Sequence, residues 1–595
     1  MATIPRWRRH LSRRITTDLT AAASFLALAV YIGHRLLAAP NGRLLARNWQ
    51  DQVLIEWFLG YGSRVWLGDF DLVTERLNSP DGVNLMSNAS HIAHAVLLAP
   101  VTWLWGAPTS FAVALVGNLA ATAMCWYLLF SRELVVSRIA AWTGGLFAGF
   151  APGMISQSQS HLHISAGWLV PLLVWCVIKL WRDERPVRWG ALLGVLAAVQ
   201  LFLGEEVLFF AVAATFLFAL VWAAQNFRAF KERAIGLGLG LCTAAFVALA
   251  IVLYPLAVQF TGRQHLNNAP FAAEYFSADL LSWIAYSPLT VGGGATDVKP
   301  IAPNHTELNT FLGPVLILVS VAAIVFLWRR RPVVRPLALV IAVMFALSLG
   351  PEILIGGAHT GIPGPYTLIA DMPVIDAALP TRYALIILPP IGALLALLID
   401  AAKPRGLLTS LRLQLAGMPG DKLLVARWTV LVVVVIALAP LLPRSLPTAP
   451  RSDIPEFITS GQWRDCVPPG GVLVPVPPPT PGNPNTMRWP TYANGAFGVP
   501  EGFFLGPYGK DGTTSMGTWS RGTARIWREV WETAAIPEIT EEQIAATRED
   551  LAAWKADCVV IPDYGRQAEL VQVTTALLGP GEAIGDVWIW RVPRD

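Results

Sequence analysis

The chain has 595 residues, of which 54% are hydrophobic and only 14% are charged, with a mean hydropathy of +0.51. This composition excludes an ordinary soluble globular protein. The net charge of +4 is small, and the basic residues lie in short loops between apolar runs. That pattern indicates membrane orientation rather than binding to nucleic acid.

The first apolar run, 19–38, follows an arginine-rich N-terminus that resembles a signal sequence. The run is long enough to span a bilayer, and it carries no clear cleavage site. We therefore interpret it as an uncleaved first helix whose N-terminus is cytoplasmic.

Further apolar runs of spanning length lie at 109–131, 139–156, 164–181, 189–204, 206–226, 236–259, 309–328, 335–350, 383–401 and 428–443. Each must be helical, because unpaired backbone groups are too costly in hydrocarbon. The stretch 91–106 is apolar but short. Counting it as a span would place Arg132 and Arg138 outside, so the positive-inside rule favours a re-entrant or surface-lying helix. The sequence predicts a mainly α membrane bundle of about eleven spans, with the C-terminus outside.

Three outward stretches are too long for simple turns: 39–108, 260–308 and 351–382. After a Pro-rich linker, the C-terminal segment alternates β-like runs (472–476, 558–561, 587–592) with helical ones (541–554, 566–578). We therefore predict a transmembrane domain at 1–443 and an extracytoplasmic α/β or α+β domain at 444–595. Cys466 and Cys558 both lie in this second domain. The sequence allows two alternatives for them, a disulfide or two free thiols.

The first outer loop carries an aromatic and aliphatic stripe with a four-residue spacing. Its members are Trp49, Val53, Trp57, Tyr61 and Val65. Such a helix face suits the membrane interface. Asp51, at its start, either favours the helix N-terminus electrostatically or hangs over a cavity between helices.

Two other outer segments carry candidate polar residues. Asp81 precedes Gly82 and belongs either to a plain turn or to a substrate rim. His161 and His163 end a polar run in a short loop. They could ligate a metal, contact phosphate, or simply line the loop with hydrogen-bonding groups.

Charged residues also stand beside apolar runs. Glu205 and Glu206 lie between two runs and either face water or mark a functional site. Glu307 and Arg382 each precede a span. Arg382 is a basic residue on the outer side, where its guanidinium could bind lipid headgroups or the phosphate of a substrate.

Two motifs carry a family resemblance. Ser131-Arg132-Glu133-Leu134 ends the second span, and Pro152-Gly153-Met154-Ile155-Ser156 ends the third. With the long first outer loop they resemble the GT-C superfamily of membrane glycosyltransferases, which take a sugar from a polyprenyl-phosphate carrier. The span-loop-span segment is similar to the oligosaccharyltransferase catalytic subunit. The composition and C-terminal domain are similar to actinobacterial cell-envelope arabinosyl- and mannosyltransferases.

The resemblance implies a glycosyltransferase that acts at the outer face of the plasma membrane on a hydroxyl of an envelope glycan, lipid or protein. Asp51 matches the family's first-loop acid by position, and that match implies a general base. Arg382, His161 and His163 would bind the donor phosphate. Glu205, Glu206, Glu307 and Asp81 would contact substrate. Oligosaccharyltransferases carry acidic metal ligands where this chain has the two histidines. The use of a divalent cation is therefore one of two open alternatives.

Two other function classes are alternatives for such a chain. A transporter or flippase of lipid-linked envelope precursors would need charges within its spans and a site at the bilayer midplane, whereas the polar residues here gather in outer loops. A non-catalytic envelope scaffold would tolerate loss of Asp51, Glu205 and Arg382 together.

Overall fold

The computed structural model describes residues 6–89, 91–182, 185–294, 297–370, 372, 378–402, 420–509 and 511–593. The chain is mainly helical, as predicted, with 61% of residues in helices. Among the described residues, seven helices are long and apolar enough to cross a membrane, which makes this an integral membrane protein. They are Arg14–Ala38, Ala107–Leu134, Arg138–Gln157, Leu162–Arg182, Pro186–Gln225, Phe227–Thr261 and Pro380–Ala401.

Shorter apolar helices occupy other predicted runs. They are Ile92–Trp105, Pro314–Leu327, Val334–Ser348 and Arg427–Leu441. The 40-residue helix Pro186–Gln225 is interrupted at Gly204, whose backbone is extended (φ 178°, ψ 105°). It therefore consists of two helical segments that meet at the predicted break between 204 and 206. The count of about eleven spans stays a prediction, because the shorter helices lack the length that identifies a span.

The chain divides into two compact units. We call residues 1–37, 115–251 and 271–447 the membrane unit, and residues 38–114, 252–270 and 448–595 the sheet unit. The predicted division into domains at 1–443 and 444–595 stays a prediction. The first outer loop folds with the C-terminal segment, because its apolar side chains are buried in the same core as residues more than 350 positions later.

The membrane unit brings helices together through small residues. A Cβ on Gly144 would lie 2.6 Å from the carbonyl oxygen of Gly392, and one on Gly149 would lie 2.6 Å from the Cβ of Ala123. Such close backbone approach is typical of helix pairs in membranes. The unit also contains the helices Pro152–Gln157 and Leu162–Ser165 and the hairpin Glu352–Ile355 with Ala358–Pro363.

The sheet unit is built on four strands in the order Glu582–Ile584, Val587–Arg591, Ala556–Pro562, Val472–Pro475. The last pair is parallel and the others are antiparallel. Three helices pack on one face of this sheet, and their buried residues include Trp527, Leu551 and Leu570. These helices are Gly522–Thr533, Glu541–Ala553 and Gln567–Leu578.

The opposite face of the sheet covers the first-loop helix Trp49–Gly62. Val53, Trp57 and Tyr61 are at most 3% exposed, and they share a core with Leu473 and Val560 of the sheet. The prediction that this stripe lies in the membrane interface was wrong. Its four-residue period fits either surface, and here the apolar partner is the sheet rather than lipid.

Two further links hold the sheet unit. The Arg451 guanidinium pairs with the Glu56 carboxylate, and both side chains are at most 2% exposed. Cys466 and Cys558 form a disulfide with a Cα–Cα distance of 5.7 Å. Both links join segments that are distant in sequence. The unit's remaining elements are Arg43–Leu45 paired with Thr448–Pro450, Val73–Thr74 with Val83–Asn84, Leu505–Tyr508 with Thr513–Met516, and the short helices Glu456–Thr459 and Arg488–Tyr492.

Candidate functional site

Arg382 is the centre of a buried polar cluster in the membrane unit. It ends the 3-10 turn Pro380–Arg382, which leads directly into the helix Tyr383–Ala401. Its Nη1 donates to Oε2 of Glu206 at 2.6 Å, while Nε and Nη2 donate to Oε1 of Glu307 at 3.0 and 2.6 Å. Within the part of the chain that the structure describes, three of the five guanidinium N–H groups are thus used, which leaves two for other acceptors.

Glu307 is held by amides as well as by Arg382. Its Oε2 accepts from Nε2 of Gln157 at 2.9 Å and from Nδ2 of Asn309 at 2.7 Å. Nδ1 of His161 lies 2.7 Å from Oε1 of Gln157 and 3.9 Å from Oε1 of Glu307. The His163 ring centroid is 5.8 Å from that of His161, so both histidines belong to this part of the unit.

Local backbone geometry brings these segments together. Ser156, in the helix Pro152–Gln157, donates its hydroxyl to the carbonyl of Thr306 and accepts from the N–H of Leu308. This reciprocal pair fixes the polar loop beside the segment that carries Glu307. The segment that carries Glu206 also passes close to the polar loop at Gly204. A Cβ at Gly204 would lie 2.4 Å from the carbonyl oxygen of His163, so only a glycine allows this approach.

The cluster has more acidic than basic side chains around Arg382. This one arginine faces two carboxyl groups, those of Glu206 and Glu307. Burial raises the pKa of Glu307, but Arg382, His161 and Asn309 together outweigh burial and lower the pKa below its usual value. Oε1 of Glu206 is buried and has no hydrogen-bond partner within the described part of the chain. The neighbouring Glu205 is exposed.

An apolar cavity of about 670 Å³ lies between helices of the same unit. Trp126, Phe210 and Leu337 are among its lining residues. The Phe210 ring packs on Tyr383 with centroids 5.2 Å apart, and Tyr383 follows Arg382 in the chain. An apolar space thus reaches the residues that flank the charged cluster.

Asp51 and Asp81 lie in the sheet unit. Asp51 is in the first turn of the helix Trp49–Gly62, half-buried, and its Oδ2 accepts from Nδ2 of Asn48 at 2.6 Å. Asp81 is exposed in a turn closed by the hydrogen bond from the N–H of Gly82 to the carbonyl of Asn78. The turn predicted from Asp81-Gly82 is present.

Of the predicted site residues, the structure brings together Arg382, Glu206, Glu307 and His161, with His163 alongside. Sequence reasoning did not single out Gln157 and Asn309. Their positions, four residues before His161 and two after Glu307, are the one signal that could have found them. No group of three or more His, Cys, Asp or Glu side chains is placed to hold a metal ion within the described ranges.

Residues 21–373 match the family model described as a domain of unknown function, DUF6311. The chain belongs to the DUF6311 family. A search of curated proteins finds no match for it.

Solved structures show the fold of this DUF6311 protein. Over the whole chain it is similar to the arabinofuranosyltransferase AftD from mycobacteria, with a TM-score of 0.54 and 15% identity, and it covers 40% of that chain. The archaeal oligosaccharyltransferase AglB from Archaeoglobus fulgidus aligns over 95% of this chain and 71% of its own (TM-score 0.45, 11% identity). ArnT from Cupriavidus metallidurans aligns over 98% of each (TM-score 0.44, 12% identity).

The DUF6311 chain therefore has the GT-C fold predicted from its motifs. It spans about two fifths of the length of the AftD chain it matches.

Proposed function

We propose that the protein is a membrane glycosyltransferase that transfers a sugar from a polyprenyl-phosphate donor to a hydroxyl acceptor of the cell envelope. The observation that carries this proposal is the buried Arg382 cluster beside an apolar cavity, in a chain with the GT-C fold. A lipid-linked donor needs an apolar place for its chain and a cationic group for its phosphate, and the membrane unit offers both kinds of surface.

Arg382 binds the donor phosphate through its two remaining N–H groups. Charge-assisted bonds from a guanidinium to a phosphate are strong and directional. Because Glu307 is 1% exposed and both of its oxygens are occupied, its part is to hold the guanidinium in place. His161 and His163 supply further donors to the phosphate.

Asp51 acts as the general base that takes the proton of the acceptor hydroxyl as it attacks the anomeric carbon. The bond from that carbon to the phosphate oxygen breaks, and the polyprenyl phosphate leaves with the charge that Arg382 stabilises. Support for Asp51 comes from its place at the start of the first-loop helix, half-buried and oriented by Asn48. Glu205, Glu206 and Asp81 are candidate contacts to the sugar or the acceptor.

The chemistry belongs on the outer face of the membrane. The Cys466–Cys558 disulfide supports an oxidising compartment for the sheet unit, which includes the first-loop helix that carries Asp51. The N-terminus would then be cytoplasmic and the C-terminus extracytoplasmic.

The test uses the full protein reconstituted in vesicles with defined polyprenyl-phosphate sugars and an envelope-glycan acceptor. We expect release of free polyprenyl phosphate, and we expect Arg382→Gln to raise the KM for donor at least tenfold. Arg444→Gln, at an arginine of the same unit outside the cluster, should leave the KM unchanged. Movement of intact donor across the bilayer without release of polyprenyl phosphate would identify a flippase instead. If the protein neither releases polyprenyl phosphate nor moves any donor across the bilayer, the result favours the non-catalytic scaffold.

A further inference from the structure

The sheet unit contains a polar cleft of about 390 Å³ that the proposed transfer chemistry does not use. Its size lies within the range of about 300–1,000 Å³ that is usual for small-molecule sites. Three elements meet at it. The hairpin Leu505–Tyr508 with Thr513–Met516 carries Tyr508, the following segment carries Trp519 and Ser520, and the helix Gly522–Thr533 carries Arg525 and Arg528.

One wall of the cleft is aromatic. Trp519 is 62% exposed, and its ring centroid is 5.2 Å from that of the half-buried Tyr508. The two planes are inclined by 41°, so the rings form an angled apolar surface rather than a parallel stack. Such a surface fits a flat ligand face made of C–H groups.

The other wall is a network of charged hydrogen-bonding groups. Oε2 of Glu501 accepts from the Ser520 hydroxyl at 2.9 Å and from Nη2 of Arg528 at 3.2 Å. Arg528 also donates to the Ser520 oxygen at 2.8 Å. These groups offer acceptors and donors side by side, which is the arrangement that recognises hydroxyl groups.

Glu501 combines a buried carboxyl group with a strained backbone. It is 3% exposed and its backbone is left-handed (φ 56°), a conformation that costs energy for a residue other than glycine. Its Oε1 is buried without a hydrogen-bond partner among the described residues. Burial also raises the pKa of this carboxyl. A buried acid retained on a strained backbone in a cleft indicates a ligand-binding group.

We propose that this cleft is a saccharide-binding site, in which Trp519 and Tyr508 contact the C–H face of a sugar ring while Glu501, Ser520 and Arg528 bind its hydroxyls. A saccharide is the class of small ligand that presents an apolar ring face and a rim of hydroxyls together.

Within the proposed function, the cleft would hold the glycan acceptor while its terminal sugar is extended. That role rests on the proposed transferase activity, whereas saccharide binding itself does not. The two can therefore fail separately.

The experiment measures binding to the full-length protein in detergent, without donor, by calorimetry and by tryptophan fluorescence. The probes are neutral oligosaccharides of glucose, mannose and arabinose, with inorganic phosphate as the anionic probe. We expect at least one oligosaccharide to bind, and we expect Trp519→Ala to weaken it at least tenfold. Trp66→Ala should leave the affinity unchanged, because Trp66 lies in the same unit with the same 62% exposure but outside the cleft.

Glu501→Gln should also weaken saccharide binding at least tenfold without lowering the melting temperature. The proposal is overturned if no oligosaccharide binds, if Trp519→Ala and Trp66→Ala bind equally well, or if phosphate alone binds the cleft in a Trp519-independent way. Arg382→Gln, which should impair transfer, should bind the saccharide normally. Intact binding with no transfer in the wild-type protein would refute the transferase and leave the saccharide site standing.

Discussion

Glu307 is a carboxylate that stays ionised inside a membrane protein because its partners are fixed around it. The guanidinium of Arg382 and the amides of Gln157 and Asn309 replace the water that burial removes. Gln157 and Asn309 directly follow Ser156 and Leu308, which are hydrogen-bonded to each other. Removal of any one partner would therefore weaken the hydrogen bonds that the other partners make to Glu307.

We expect Glu307 to make stability depend on acid pH. Its folded-state pKa is lowered, so its contribution is present above the unfolded pKa of about 4.3 and is lost as the pH falls through the folded-state value. Glu307→Gln should melt at a lower temperature at neutral pH, and its acid dependence should be flatter. The measurement is thermal unfolding of the solubilised protein over an acid titration. Glu274→Gln, at an exposed glutamate, should behave as wild type, and equal acid dependence in all three proteins would contradict this account.

The contribution of Glu501 to stability should depend on pH in the opposite direction. Burial raises its pKa, so the folded state favours the protonated form and loses stability as the pH rises through that value. Glu501→Gln should therefore raise the melting temperature at neutral pH and flatten its fall with rising pH. A variant that melts below wild type throughout the titration would show that the carboxylate stabilises the fold.

At the scale of elements, Gly204 separates two helical segments and lets the chain pass the backbone of His163. Gly204→Ala should destabilise the protein by about 1–3 kcal/mol, because the new methyl group would overlap the His163 carbonyl. Gly236→Ala is the matched control, since nothing lies within 4 Å of a Cβ there. Chemical unfolding of both variants tests this, and an equal effect of the two substitutions would remove the special role of Gly204.

Elements were predictable where one local rule decides them. A long apolar run must be helical in lipid, so the helices followed from hydropathy, and the short β-like runs at 472–476 and 558–561 located the strands Val472–Pro475 and Ala556–Pro562. The stripe at Trp57 and Tyr61 was not decided locally, because the same spacing suits lipid or a protein core. Its partner strand lies about 400 residues later, and single-sequence patterns do not encode such pairing.

The candidate site was also predictable only in its local features. Unusual position singled out Arg382, Glu206 and Glu307 individually, since a charge beside a span needs a reason. Their mutual pairing depends on how three separate segments pack, and Gln157 and Asn309 carry no charge that would mark them. The cleft at Glu501 was missed because Trp519 and Tyr508 lie in a loop and a hairpin without a recognisable motif.

At the scale of the whole molecule, the disulfide gives a test of topology. In a protein whose other cysteines are replaced by serine, intact cells treated with a membrane-impermeant reductant should expose Cys466 to a membrane-impermeant maleimide. Cys466 is half-buried, and Cys558 is fully buried in the sheet. Labelling that appears only after the cells are permeabilised would place the sheet unit in the cytoplasm and contradict an extracytoplasmic reaction.

The whole-molecule account combines a GT-C fold, a buried cluster suited to a donor phosphate, and an acidic residue at the start of the first-loop helix. Asp51 and the Arg382 cluster belong to different compact units, so their joint role in one reaction must be measured chemically.

The most direct measurement is single-turnover transfer by Asp51→Asn from a polyprenyl-phosphate sugar, with donor binding recorded in parallel. Asp71→Asn, at an exposed aspartate of the same unit, is the matched control. Loss of a general base should lower the rate by about 10²–10⁴-fold while donor affinity and the Asp71→Asn rate stay at wild-type values. Unchanged turnover in Asp51→Asn would remove Asp51 from the mechanism and contradict the account.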